Sequence, residues 1–521
     1  MIPNHTSVYA QSGLSVFNQR YRCRMQFSFV RLFAVMALWG ALVTPVAAGP
    51  WAEAGDRQLR GDLELLARYG LVRGPITAWP LPWAQISARL QEENATRPLP
   101  AHVRSALYRV QAKMPDESDF GRPKLGLDAR ATNRAKLGRD FGDAARDEAD
   151  VSASVEMNWS ATSARVAVGY QGDDRGDKLS FDGSYLAFAL GNWMVYGGWL
   201  DHWWGPGWSS SLIQSTNARP TPRVGLMRAD TRPFETKWLR WLGPWQFNLF
   251  AGVLDDDVRV IDDPYYIGMR FSFSPIRNLD IGLSRTIMLC GDGRPCGLKA
   301  WTNALIGGFG VENPEDPSKI NASNQLAGYD VRYSFALSDT LGMAIYGQMI
   351  GEDQKYGIPN KYAGLAGFSF DGPWGSDGAS WRFITEYTDT VAFLTGRGRF
   401  RQFNVFYNHS RYPSGYRYHD ISMGDRYDSD SRALYLSGVF TDRDGWSYRL
   451  GYQRASINVD DAGKNALSSN KERINMFQAG LDIPSEYGDL ALELWHADDR
   501  PNSPGQSKGM TGIEVGWRAS F

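Results

Sequence analysis

From about residue 120 to its last residue, the chain repeatedly alternates apolar and polar side chains. In Gly328–Leu337, Tyr329, Val331, Tyr333, Phe335 and Leu337 share one face, and Asp330, Arg332, Ser334 and Ala336 share the other. Phe403, Val405 and Tyr407 stand against Asn404, Phe406 and Asn408. Phe477, Ala479, Leu481 and Ile483 stand against Gln478, Gly480 and Asp482. The last run sets Ile513, Val515, Trp517, Ala519 and Phe521 against Glu514, Gly516, Arg518 and Ser520. Successive strand side chains point to opposite faces, so this period means strands with two unlike faces. A soluble sandwich turns the apolar face to a core. An outer-membrane barrel turns it to lipid and the polar face to a lumen.

The N-terminus favours the barrel. Arg22, Arg24 and Arg31 precede the apolar run Leu32–Val43, and Val46 and Ala48 supply small residues for cleavage. This is the layout of a secretory signal, too short to span a bilayer, and is expected over residues 1–48, with Met1 or Met25 as the start. Removing its four arginines takes the net charge from −1 to −5, which argues against nucleic acid as a partner. Cys23 leaves with the signal; Cys290 and Cys296 remain and are expected to pair in an exported chain.

Nineteen alternating segments can be marked, from 123–133 to 511–521. Bacterial single-chain barrels carry even numbers, so one is expected to be false, the weakest being 123–133. The predicted fold class is all-β: a transmembrane outer-membrane β-barrel of about 18 antiparallel strands with a small N-terminal α-helical bundle. Trp193, Trp199, Trp495 and Trp517 lie near strand ends, as an interfacial girdle needs. The helices are expected within residues 49–120, ahead of a barrel over 121–521. Leu59, Leu63 and Leu66, then Trp83, Ile86 and Leu90, then Val103, Leu107, Val110 and Met114 recur at helical spacing. Long connections at 201–230, 291–324 and 411–431 are the expected functional ends.

Catalytic signatures are sparse. Gly207–Ser211 reads Gly-Trp-Ser-Ser-Ser beside Asp201 and His202, but lacks the second glycine of a nucleophile elbow. The acidic run Val253–Asp263 matches no calcium loop and reads as a solvated hairpin tip. No cofactor or metal is expected. The loop His409–Arg432 joins Tyr412, Tyr416, Tyr418 and Tyr427 to Arg411, Arg417 and Arg426. Aromatic faces pack on the C–H faces of sugars, and arginines pair with uronate carboxylates. These residues, with Trp208 and Arg219, are therefore the candidate carbohydrate contacts; an ordinary tyrosine-rich loop is the plainer reading.

The blocks Trp-Trp-Gly-Pro-Gly-Trp-Ser-Ser-Ser-Leu-Ile from Trp203 and Trp-Leu-Arg-Trp-Leu-Gly-Pro-Trp from Trp238, with the leucine-rich stretch from Leu59, occur in a specific order. In them the chain resembles the Wzi family of outer-membrane capsule-assembly proteins. The resemblance implies an 18-stranded barrel with a periplasmic helical bundle and an obstructed lumen. It implies a non-enzymatic, lectin-like role in attaching or organising exported capsular polysaccharide or a related exopolysaccharide. Expected partners are that polymer, outer-membrane lipid and the barrel-assembly machinery, with the protein a monomer. A porin and a polysaccharide-modifying enzyme are the competing classes. Within this frame residues 201–230 are expected to fold into or over the barrel. Gly205, Pro206 and Gly207 would form the turn, and Trp203 and Trp204 would wedge against the wall as a structural plug. A disulfide between Cys290 and Cys296 is not part of the family pattern.

Overall fold

The structure, a computed structural model, describes residues 50–93, 98–172, 179–305, 323–355, 358–394, 401–502 and 508–521. The expected signal segment 1–48 and the middle of the 291–324 connection lie outside the described residues.

Eighteen antiparallel strands of six residues or more, counted among the described residues, close into one barrel. The last, Met510–Ser520, pairs with the first, Pro123–Thr132, with Val515 opposite Ala131 and Arg518 opposite Asp128. The wall has the polarity of a sheet set in lipid. On Asn324–Ala336, Tyr329, Val331 and Tyr333 are exposed outward while Asp330, Arg332 and Ser334 are buried inward. Val151, Val166, Leu283, Ile345, Leu450, Phe477 and Ile513 continue the apolar exterior. A buried arginine in the lumen needs a partner; Arg270 finds Asp330 on a nearby strand at 2.6 Å.

One rim carries short turns, such as those between Asn158 and Thr162 and between Ile276 and Leu279. The opposite rim carries the long connections, apart from 229–244, which joins Arg223–Arg228 to Trp245–Val253 on the short-turn side. Three helices, α1 (Arg57–Arg68), α2 (Trp83–Glu93) and α3 (Ala101–Lys113), dock at the short-turn rim. The Asp56 carboxylate accepts from the Leu59 amide at 2.8 Å and caps α1. Leu63, Leu66, Ile86, Val103 and Val110 pack together in one cluster. Arg109 of α3 grips Asp62 of α1 with two hydrogen bonds, at 2.8 and 2.7 Å. A fourth helix, α4 (Leu298–Leu305), follows the Cys290–Cys296 disulfide.

Four segments depart from the alternation reading. The weak run at 123–133 is a wall strand and forms the seam with the last strand. Arg223–Arg228 is also a wall strand, so the connection expected at 201–230 ends before it. The run at 231–241 is a rim loop with a 3-10 turn at Arg240–Leu242. The run at 399–410 keeps only Arg401–Gln402 as strand, because Asn404 and Tyr407 take positive φ (57° and 65°) and turn the chain inward.

Candidate functional site

The connection after Trp193–Gly198 enters the lumen. From His202 to Ala218 every residue is buried. The two tryptophans of the Trp-Trp-Gly-Pro-Gly block face opposite ways. Trp203 does not wedge against the wall as expected: it pairs in register with Trp79 and joins the helical cluster, with the Phe141 ring at 5.4 Å, because the helices offer it an apolar pocket inside the barrel. Trp204 faces the wall, 5.4 Å from the Phe250 ring. Gly205 has φ 150°, and a Cβ there would meet the Gln348 side chain at 2.8 Å. A Cβ on Gly207 would strike the Ser210 carbonyl at 2.2 Å.

Polar groups of the wall hold this loop. Glu386 accepts from the Trp208 and Ser209 amides at 2.6 and 2.7 Å and from the Tyr346 hydroxyl at 2.7 Å. Gln348 accepts from the Leu212 amide and donates to the Trp204 carbonyl, at 2.8 and 2.7 Å. From the helices, Arg60 donates to the Pro206 and Gly207 carbonyls at 2.6 and 2.8 Å, its guanidinium 4.2 Å from the Trp208 ring centre. None of these anchors stood out in the sequence. Glu386 was readable only as a lone acid in the middle of the inward row of its strand.

The 401–431 connection interleaves with the same loop. Tyr407 donates to the Leu212 carbonyl and Tyr416 to the Ile213 carbonyl, both at 2.7 Å. Tyr412 donates to the Cys290 carbonyl at 3.0 Å, Tyr418 to Asp255 at 2.6 Å and Tyr427 to Gln453 at 2.6 Å. Arg417 pairs with Asp428 at 2.6 Å, and Arg426 lies 4.9 Å from the Tyr427 ring centre. Of the residues marked in the sequence, Trp208, Tyr412, Tyr416, Arg417, Tyr418, Arg426 and Tyr427 are buried here. Arg219, bonded to Asp182 at 3.1 Å, and Arg411 are half-buried. The structure therefore brings the marked tyrosines together as a packed support, with their hydroxyls committed to protein acceptors.

The serines beside Trp208 are likewise committed. Ser210 donates to Asp425 at 2.8 Å and Ser211 to the Trp204 carbonyl at 2.6 Å. His202 sits 3.1 Å from both the Tyr196 hydroxyl and Arg223, and burial with the Arg223 charge pushes its imidazole well below the ordinary range. It is neutral and structural. Among the described residues no cluster of His, Cys, Asp and Glu could hold a metal ion.

One group in this support titrates near neutrality. Burial pushes Asp430 up to about 7, aided by Asp460 and Asp428 and opposed by the Asn404 amide and Arg417. A folded value above the ordinary carboxylate one means the fold prefers the protonated form. Its contribution is present at low pH and is lost as pH rises through about 7. Limited proteolysis within 401–431 should thus be faster near pH 8 than near pH 5.5, and Asp430→Asn should flatten that difference. An unchanged slope in the variant would assign the effect elsewhere.

Comparison with known proteins agrees with this architecture. The family described as capsule assembly protein Wzi matches residues 123–498. A Klebsiella pneumoniae protein described as an uncharacterized 55.8 kDa protein in the cps region is 28% identical over 474 residues, 88% of each chain. A solved Escherichia coli structure, described as Wzi, an outer-membrane protein involved in group 1 capsule assembly and a carbohydrate-binding β-barrel, shares the fold. Its TM-score is 0.75 at 24% identity, covering 91% of this chain and all of that one. With the family match spanning most of the barrel, the chain belongs to the Wzi family of capsule assembly proteins.

Proposed function

We propose that this protein is an outer-membrane, non-enzymatic, lectin-like barrel that attaches or organises exported capsular polysaccharide, or a related exopolysaccharide, at the cell surface. Its family membership and the carbohydrate binding described for the E. coli relative support the reading. The observation that carries it beyond the family is how much of the lumen is filled. A transport pore would not commit residues 202–218 and three tyrosine hydroxyls to occupying its own bore. In this reading residues 1–48 are a cleaved signal, 49–120 lie on the periplasmic side, and 121–521 form the barrel, inserted as a monomer by the assembly machinery into outer-membrane lipid. Arg219 and Arg411, the half-buried members of the marked set, are in this reading the candidate sugar contacts. Trp203, Trp204, Gly205, Pro206 and Gly207 act as the plug.

Deleting the gene and measuring cell-bound against released polymer tests the reading. The expected result is a shift from bound to released at unchanged total. An unchanged ratio would remove the attachment role.

A further inference from the structure

The lumen is packed around most of its circumference but not along the wall strand Ala149–Asn158. Its inward residues Asp150, Ser152, Ser154 and Glu156 all keep partial solvent contact. On Tyr265–Ile276, by contrast, the inward Tyr266, Gly268, Arg270 and Ser272 are buried. The free space is a cavity of about 450 Å³. It runs from Lys124 and Ser520 near the short-turn rim to Gln171 and Asp182 near the long-loop rim. Asp150 to Glu156 alone spans about 20 Å at ~3.3 Å per strand residue. The volume falls within the range of small-molecule sites.

The lining mixes donors and acceptors. Arg146 pairs with Asp201 at 3.2 Å and Arg165 with Glu53 at 2.5 Å. Two buried donors on the same cavity have no protein acceptor. Arg139, 8% exposed, gives Nη2 to Asp143 at 2.9 Å, while its Nε and Nη1 have none. Trp51, 5% exposed, has an unpaired Nε1. These three donor atoms are themselves closed off from solvent, so it is the remaining exposed edge of Arg139 that borders the space. Carboxylates and guanidinium groups of both signs suit hydroxyls, which donate and accept at once. A single anion would meet Asp150, Asp182 and Asp201 alongside the arginines.

We propose that this slot is a saccharide-binding groove in which a segment of a polyhydroxylated chain lies along the Ala149–Asn158 wall. The inference rests on the polysaccharide reading above and gives it a location inside the barrel, away from the buried tyrosines. Arg139 and Arg146 border the groove with their cationic side chains, and the small Ser152 and Ser154 leave the bore open there.

The test is isothermal titration of the detergent-solubilised mature protein with size-fractionated oligosaccharides cut from the producing cell's own surface polymer. Ser152→Trp fills the slot from the wall, and Arg139→Gln removes donors without filling it. Each should weaken binding by about tenfold or more, with heat-modifiable gel mobility unchanged. If the wild type binds and both folded variants bind equally well, the slot holds only water and the inference fails while the polysaccharide reading stands. If the wild type binds none of the fractions, the polysaccharide reading fails and takes the slot with it.

Discussion

Deleting residues 203–217 and joining the ends through a short Gly-Ser linker is expected to raise the conductance of the barrel many-fold. Barrels of 16–18 strands enclose an aqueous channel unless something fills it. Here the filling includes Trp204, Leu212 and Ile213, each fully buried against wall residues such as Phe250, Tyr266 and Leu365. Removing the loop leaves Glu386 and Gln348 without their amide and carbonyl partners but facing new water, which the polar lumen tolerates. Planar-bilayer recording should show stable steps in the variant that are absent or far smaller in the parent. The variant should also melt at a lower temperature, since the interleaved Tyr407 and Tyr416 lose their acceptors. A variant unchanged in conductance and stability would mean that the loop does not block the bore.

The second large effect is expected at Glu64. This carboxylate of α1 sits among three arginines: Arg60 at 3.2 Å, Arg332 at 3.2 Å and Arg382 at 2.6 Å. Two of the three come from the barrel wall, so Glu64 joins the helices to the lumen. Burial opposes its charge, but Arg332, Arg382 and Arg60 outweigh burial and hold the carboxyl below the ordinary range. Glu64→Ala takes their shared carboxylate from three buried cations, and breaking such a buried pair costs about 3–5 kcal/mol. Because the barrel has its own hydrogen-bonded wall, the loss should appear as undocking of the helices. Protease cleavage near residues 57–113 should rise sharply while the barrel core persists. The sign with pH follows from the lowered value. The stabilisation is present above the ordinary glutamate range and is lost as pH falls through the folded value. Wild-type docking should therefore weaken only in strong acid, and the variant should show no such acid step.

The barrel was legible because alternation reports two environments, and lipid outside against a polar filling inside keeps them distinct. Tyr329, Val331 and Tyr333 against Asp330, Arg332 and Ser334 is the clean case. The pattern failed where the environments were not those two. Arg223–Arg228 is only six residues, beside the equally short Tyr185–Leu190 and Trp193–Gly198, and fell below the length expected of a crossing. Residues 403–407 alternate in type, yet Val405, Phe406 and Tyr407 are all buried, because in the lumen both faces of a segment can find packing. The candidate site was harder to read for a related reason. Tyrosine and arginine suit a sugar and also suit a polar protein interior, and sequence does not say whether a hydroxyl meets protein or ligand. Tyr416, bonded to Ile213 and 2.6 Å from the Tyr266 hydroxyl, chose protein. The slot along Ala149–Asn158 was invisible, since it is defined by what Asp150, Ser152 and Ser154 lack opposite them.

The register of Trp203 against Trp79 has a bearing on how the molecule can be built. Trp79 belongs to the part of the chain made first, whereas Trp203 lies on a loop reached only after five wall strands. Phe141, between the first two of those strands, is wedged against both rings. The perimeter is completed only when Met510–Ser520 meets Pro123–Thr132. Every residue of this contact is made long before the strand that shuts the circle, so the contents can be gathered first, like a parcel wrapped around its goods. A pulse of newly made chains should show the helices protected from protease no later than the barrel itself.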